Sequence, residues 1–278
     1  MSQTGCSRWS RTTMMLPGAD GRNALHVVRC GPEEAEVVVL VHAIGLDLTY
    51  WDAQIAALSR NHAVVAYDLL GHGQSSKPEA GYQIGDMAED LAAVVAWASR
   101  KPVHLVGVSL GGMIAQTFAL EHLEAVRSLT LIDTVATLGA EARDAIAQRS
   151  RLTREGGMEA IVQPTIDRWF TPEFVARRPD VVGRVRTTLL ANDREVHASI
   201  WDAIAKIDLA DRLPAISCPV LVLVGERDPT TPIAASRLIA DRIRGSRLHL
   251  LPGVSHMSPL EGSEQVNQLL CSFVGEQR

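Results

Sequence analysis

Apolar positions along the chain fall into two periods, and the order in which those periods alternate outlines an architecture. Runs rich in β-branched residues at 37–41, 63–67, 103–108, 126–132, 218–224 and 247–251 read as strands. Stretches at 48–59, 84–99, 233–243 and 265–274 carry apolar residues three to four apart and read as helices, with Trp51, Ile55 and Leu58 on one face of the first and Leu91, Val94 and Val95 on one face of the second. Ahead of them, 11–16 and 24–28 read as a hairpin around Pro17-Gly18-Ala19-Asp20-Gly21, whose proline and glycines are turn formers. Strands and helices alternating in this way predict βαβ units and an α/β fold with a mostly parallel eight-stranded sheet flanked by helices.

From 134 to 208 the alternation stops. Every segment there has helical spacing: 140–153, 157–169, 172–177, 181–190 and 194–207. An all-helical block that interrupts a strand–helix series reads as an inserted cap, so 11–133 and 209–278 form the core, 134–208 the helical cap, and 1–10 a loose N-terminal arm.

Composition narrows the function classes. At 278 residues the chain has room for one large domain carrying an insertion, and its 46% apolar and 21% charged residues are ordinary for a globular protein. The net charge of -5 with no clustered basic run gives no footprint for nucleic acid. The most basic interval, 143–154, includes Asp144 and reads as a solvated helix face. Cys6, Cys30, Cys218 and Cys271 are far apart with no Cys-x-x-Cys pair, which implies neither a metal site nor a disulfide framework and fits reduced thiols in a cytoplasmic protein. No stretch has the length of a membrane span or the apolar run of a signal peptide. No cofactor is implied; the expected partner is a small molecule, and a homodimer is one oligomeric state open to the chain.

The chemistry centres on Ser109. It stands between the 103–108 strand and an apolar helix, flanked by Gly107 and Gly111, and the absence of Cβ atoms at both flanks is what a tight strand-to-helix corner requires. Such a corner raises the hydroxyl at the strand's carboxyl end and aims the Leu110 N–H at the same spot. A serine hydroxyl needs a base and a group to orient that base. Asp228 follows the 218–224 strand and His256 follows the 247–251 strand, so a parallel sheet brings both to the edge that holds Ser109. The chain order Ser, Asp, His is that of one of the three common triad arrangements. Asp133, which also ends a strand, is the alternative acid, and Glu226 is read as facing solvent. His42 heads the loop after 37–41, where the Ile44 N–H is the second oxyanion donor, and His72, between two glycines, reads as a buttress of the same edge. His104 and His249 read as structural residues inside strands; His62, His122 and His197 read as surface residues.

These stretches resemble the α/β-hydrolase superfamily over nearly the whole chain: Val-His-Ala-Ile-Gly at 41–45, Tyr-Asp-Leu-Leu-Gly-His-Gly-Gln-Ser at 67–75, Gly-Val-Ser-Leu-Gly-Gly at 107–112, Gly-Glu-Arg-Asp-Pro at 225–229 and Val-Ser-His-Met at 254–257. Three more, at 47–54, 168–174 and 218–225, are most similar to the 3-oxoadipate enol-lactonases. The chain departs from that pattern at His42-Ala43, where many relatives carry His-Gly, and after His256, where it reads Met-Ser-Pro-Leu-Glu.

The resemblance implies a serine hydrolase acting on a small ester or lactone, 3-oxoadipate enol-lactone or a related intermediate of aromatic-compound breakdown among them. Two other readings share the scaffold: a carbon–carbon bond hydrolase on a ring-fission product, and a ligand-binding receptor with little or no turnover. A charged substrate needs a cationic partner, and Arg168, beside Trp169 in the cap, is the expected substrate contact.

Overall fold

The computed structural model describes residues 11–78 and 81–277; the N-terminal arm expected at 1–10 lies outside them. Eight strands, β1 (Thr12–Pro17), β2 (Ala24–Cys30), β3 (Val37–Val41), β4 (Ala63–Tyr67), β5 (Val103–Val108), β6 (Val126–Ile132), β7 (Val220–Gly225) and β8 (Arg247–Leu251), form one sheet in the order β1-β2-β4-β3-β5-β6-β7-β8. β2 pairs antiparallel with both β1 and β4, and every pairing from β4 to β8 is parallel.

Helices α1 (Asp52–Leu58), α2 (Ile84–Ala98), α3 (Leu110–Glu121), α8 (Ile233–Arg242), α9 (Ser258–Glu261) and α10 (Ser263–Glu276) connect or follow the strands. β3, β4 and β5 are buried at every position, because a parallel sheet with helices on both faces leaves no residue facing water. The edge behaves differently. Among the described residues β8 pairs only with β7, and His249, read as a structural residue inside this strand, lies in it with its side chain exposed.

Between β6 and β7 stand α4 (Ala140–Trp169), α5 (Pro172–Arg177), α6 (Pro179–Leu190) and α7 (Arg194–Ile204). α4 is two helices meeting at Gly157, whose φ of 71° interrupts the helical dihedrals. The two chains leading into and out of the block meet in a bridge between Thr137 and Asp208, reinforced by the Leu209 N–H donating to the Ala136 carbonyl at 2.8 Å. Its far side rests on loops at the carboxyl edge of the sheet. Asn192 donates to the Gly45 carbonyl at 2.9 Å, the Met257 N–H to the Trp169 carbonyl at 3.1 Å, and the Thr171 hydroxyl to Glu261.

Two expectations about this block are corrected. His197 is buried on α7 against Gly45, and the 143–154 interval is solvated along Asp144, Gln148 and Arg151 but partnered on its other side. Arg143 donates to the Ala205 and Ile207 carbonyls, Arg149 lies over the Trp201 ring, and Arg154 pairs with Asp202. A helix laid over a core and crossed by another has two covered faces, so Arg143, Arg149 and Arg154, six and five residues apart, find partners where the periodicity of one helix alone places them outside. His62, also expected at the surface, is buried, with its ring 6.0 Å from that of His104. Among the described residues no helix is long and apolar enough to cross a membrane.

Candidate active site

β3 and β5 are neighbours although β4 lies between them in sequence, so the loops leaving their carboxyl ends diverge and open a crevice there. Ser109 occupies that point. Its φ of 53° and ψ of −117° lie in a region that costs a non-glycine residue about 1–3 kcal/mol, and the surroundings hold it in place. The Ser109 N–H donates to the Ile132 carbonyl at 2.9 Å, and its own carbonyl accepts from Gly112 N–H at 3.0 Å and from the Thr134 hydroxyl at 2.7 Å. A Cβ on Gly107 would sit 2.2 Å from the Gly111 carbonyl oxygen, and one on Gly111 would sit 2.1 Å from that of Val41. Both glycines are therefore demanded by close backbone approach.

His256 Nε2 lies 3.1 Å from Ser109 Oγ, and its Nδ1 lies 2.8 Å from Asp228 Oδ2. The carboxylate is held in turn by Thr230 N–H at 2.7 Å, Thr231 N–H at 3.0 Å and the Thr231 hydroxyl at 2.5 Å. Thr231 was not anticipated from sequence, although a threonine three residues after an aspartate in a Pro-containing turn is a recognisable capping signal. Asp133 approaches from behind without touching the imidazole. It accepts from Gly225 N–H at 2.8 Å and from the Ser258 N–H and hydroxyl at 3.2 and 2.6 Å. Asp228, the acid expected from sequence, is therefore the one bonded to His256, and the alternative, Asp133, is not. Glu226 is exposed, as expected.

Burial opposes an imidazolium at His256, but the charge and hydrogen bond of Asp228, aided by Asp133, outweigh it and raise the group above its ordinary value. For Asp228 the balance runs the other way: burial raises it, while His256 and the Thr231 hydrogen bonds lower it further, and the carboxylate ends below its usual value. Asp133 is raised by burial and by its neighbour Asp228. A depressed acid beside an elevated base is the arrangement that keeps the pair charged once a proton arrives.

The loop after β3 is pinned by two imidazoles. His42 Nε2 accepts from Leu69 N–H at 3.0 Å and His72 Nε2 accepts from Gly45 N–H at 2.9 Å, so each ring carries its proton on Nδ1, directed at the Ala43 and Leu70 carbonyls. Burial lowers both histidines and keeps them neutral acceptors. Ile44 stands in this pinned loop, and Leu110 opens α3, whose first N–H groups have no helical acceptor.

The inserted helices cover the site. Trp169 places its ring 6.3 Å from that of His256, and Ser109 is 8% exposed. Arg168 points elsewhere, into a small cavity between α4 and α7. Among the described residues no group of three or more His, Cys, Asp or Glu is arranged to hold a metal ion.

Residues 36–263 match the profile of the alpha/beta hydrolase fold. The chain is 32% identical over 244 residues to 3-oxoadipate enol-lactonase 2 of Acinetobacter baylyi, a match covering 88% of this chain and 90% of that protein. Among solved structures it is similar to the enol-lactonase of Burkholderia xenovorans, with a TM-score of 0.88 and 29% identity over 94% of this chain and 100% of the other. It is also similar to a malate-bound thermophilic esterase of Thermogutta terrifontis, with a TM-score of 0.88 and 28% identity over 96% and 99%.

Proposed function

Because the chain belongs to the alpha/beta hydrolase fold family, we propose that it is a serine hydrolase that opens a small ester or lactone through an acyl-enzyme on Ser109. The relatives named above favour 3-oxoadipate enol-lactone, or a related intermediate of aromatic-compound breakdown, as its substrate. The observation that carries the reading is the position of His256, within 3.1 Å of Ser109 Oγ and 2.8 Å of Asp228.

His256 Nε2 takes the hydroxyl proton as Oγ attacks the carbonyl carbon, and Asp228 holds the tautomer whose Nε2 lone pair is free and stabilises the imidazolium that forms. The N–H groups of Leu110 and Ile44 receive the oxyanion. Collapse of the tetrahedral species breaks the ring C–O bond, and the imidazolium proton passes to the leaving oxygen, which in a lactone stays tethered to the acyl chain. Water, giving its proton to His256, then attacks the acyl carbon; the bond to Ser109 Oγ breaks, the imidazolium returns the proton to Oγ, and the acid is released. Residues 134–208 act as a cap over these steps, with Trp169 shielding His256 from solvent.

The test is intact-protein mass spectrometry after treatment with a fluorophosphonate, alongside hydrolysis of a short nitrophenyl ester. One adduct and measurable turnover, both lost in Ser109→Ala, is the expected result. A folded protein that gives no adduct and no turnover overturns the reading.

A further inference from the structure

The inserted helices hold a polar cluster that the mechanism above does not use. Arg149, Thr165, Arg168 and Trp201 line a cavity of about 30 Å³ between the two halves of α4 and helix α7, with apolar Ile161 and Leu152 completing its wall. That is room for a carboxylate-sized group.

The donors here lack acceptors. Among the described residues Arg168 Nε and Trp201 Nε1 are buried and make no hydrogen bond, and Trp201 is 7% exposed. Arg168 Nη2 reaches only the Thr165 hydroxyl, at 3.5 Å. Arg149 lies over the Trp201 ring, 5.4 Å from its centroid, and neither arginine is in an ion pair among the described residues. The nearby acids are engaged elsewhere: Asp202 and Glu195 pair with Arg154, and exposed Asp167 accepts from Gln163 at 2.7 Å.

Two guanidiniums brought together in half-buried surroundings with no ion pair are costly, and the cost appears on Arg168, which burial and then Arg149 push down to about 10 against the opposing charge of Asp167. The Arg149 charge reaches His256, and the residue after Arg168 is Trp169, packed beside the His256 ring.

We propose that Arg149, Arg168 and Trp201 form a subsite for a carboxylate carried by the substrate at the end remote from the scissile carbonyl, so that anionic esters or lactones are taken in preference to neutral ones of the same shape. The proposal rests on the hydrolase reading above. A planar carboxylate suits the fork of Arg168, the Arg149 guanidinium balances its charge, and the indole N–H supplies a further donor.

The test compares two nitrophenyl esters of matched shape, the glutarate monoester and the 5-methylhexanoate, in the full-length protein. Wild type is expected to favour the anionic ester in kcat/KM by at least about tenfold, and Arg149→Gln and Arg168→Gln to reduce that ratio at least about tenfold, through KM. A wild-type ratio near one, or a ratio unchanged in both variants, overturns the subsite. If neither variant folds, competitive inhibition of wild type by glutarate, weakening as salt is raised, supports it, and no inhibition overturns it. If wild type hydrolyses neither ester and gives no fluorophosphonate adduct, the hydrolase reading is what has failed. Calorimetric titration of glutarate into wild type and Arg168→Gln then decides the subsite on its own: binding weakened in the variant supports it, and no binding to wild type overturns it.

Discussion

The Ser258 hydroxyl donates to Asp133 Oδ2 at 2.6 Å, and through that bond a carboxylate at the end of β6 fastens the loop that carries His256. The other oxygen of Asp133 accepts the Gly225 N–H at the end of β7, where the Asp228 loop begins. One buried group thus sets the spacing of two loops that must agree to within a fraction of an ångström for Asp228 to meet His256.

Asp133→Asn turns one of these acceptors into a donor facing a donor, and leaving a buried polar group unpaired costs about 1–3 kcal/mol. Urea unfolding should register that loss. A second readout separates charge from scaffolding. Activity requires neutral His256, so the acid limb of kcat/KM rises through a pKa held above its ordinary value, and Asp133 is one of the groups holding it there. The limb should lie above the usual imidazole position in wild type and move to lower pH in the variant; an unmoved limb with a loss of stability would reduce Asp133 to a purely structural part.

Asp228→Asn tests the orienting role. The amide can occupy the same space, but it presents an N–H to Nδ1 or forfeits the Thr231 hydroxyl, and the favoured tautomer of His256 reverses. A fall in kcat/KM on the order of 10³–10⁴ is expected, with little change in melting temperature. Thr231→Val, which removes one of three donors to the carboxylate, should cost about tenfold. Equal effects in the two variants would argue against tautomer control.

Gly111→Ala should be among the most damaging single-methyl changes in the chain. The added Cβ would lie 2.1 Å from the Val41 carbonyl oxygen, and both partners are backbone, Gly111 in the first turn of α3 and Val41 at the end of a central strand, so neither can yield. A loss of about 3 kcal/mol or more is expected by denaturant unfolding. Gly85→Ala is the matched control. It lies in α2 with open space around its Cβ position, and should be neutral or stabilising by up to about 1 kcal/mol.

The reach of sequence reading follows from how local each signal is. The turn at Ser109 is written in residues 107–111, the parallel sheet in runs of seven or fewer residues, and the insertion in the simple loss of alternation. The Asp228–His256 contact was legible because a parallel sheet collects strand ends at one edge, whatever the loops do. Burial of His197 and of Arg149 was not, since each depends on what crosses its helix from elsewhere: Gly45 lies far away in sequence from His197, and Trp201 far from Arg149. Sequence favours Asp228 over Asp133 only through its place in the loop before the histidine's strand, since both acids follow strands at the same edge. That choice turns on which oxygen faces Nδ1. Arg168 and Trp169 were singled out together, yet as neighbours on the last turn of α4 they point to different places, one to the arginine cavity and one to the imidazole.

His197 gives the last prediction, a pH dependence of stability with a definite sign. The ring is buried on α7 against Gly45, its Nδ1 has no hydrogen-bond partner, and burial lowers the group from 6.5 to about 4. Between those values the unfolded chain binds a proton that the folded protein refuses, so stability is complete above pH 6.5 and is lost as pH falls toward 4. One proton over that window is worth about 1.4 kcal/mol per pH unit, or about 3 kcal/mol in all. His72 and His104 are depressed in the same direction and steepen the wild-type curve, so the comparison must be a difference. His197→Phe keeps a ring of similar size and removes the titration. Its unfolding free energy should track wild type near pH 7.5 and exceed it by about 2 kcal/mol at pH 5. Parallel curves down to pH 5 would mean that the helix carrying His197 lifts from Gly45 and admits water before the ring must ionise, and would make this contact the place where the inserted helices open.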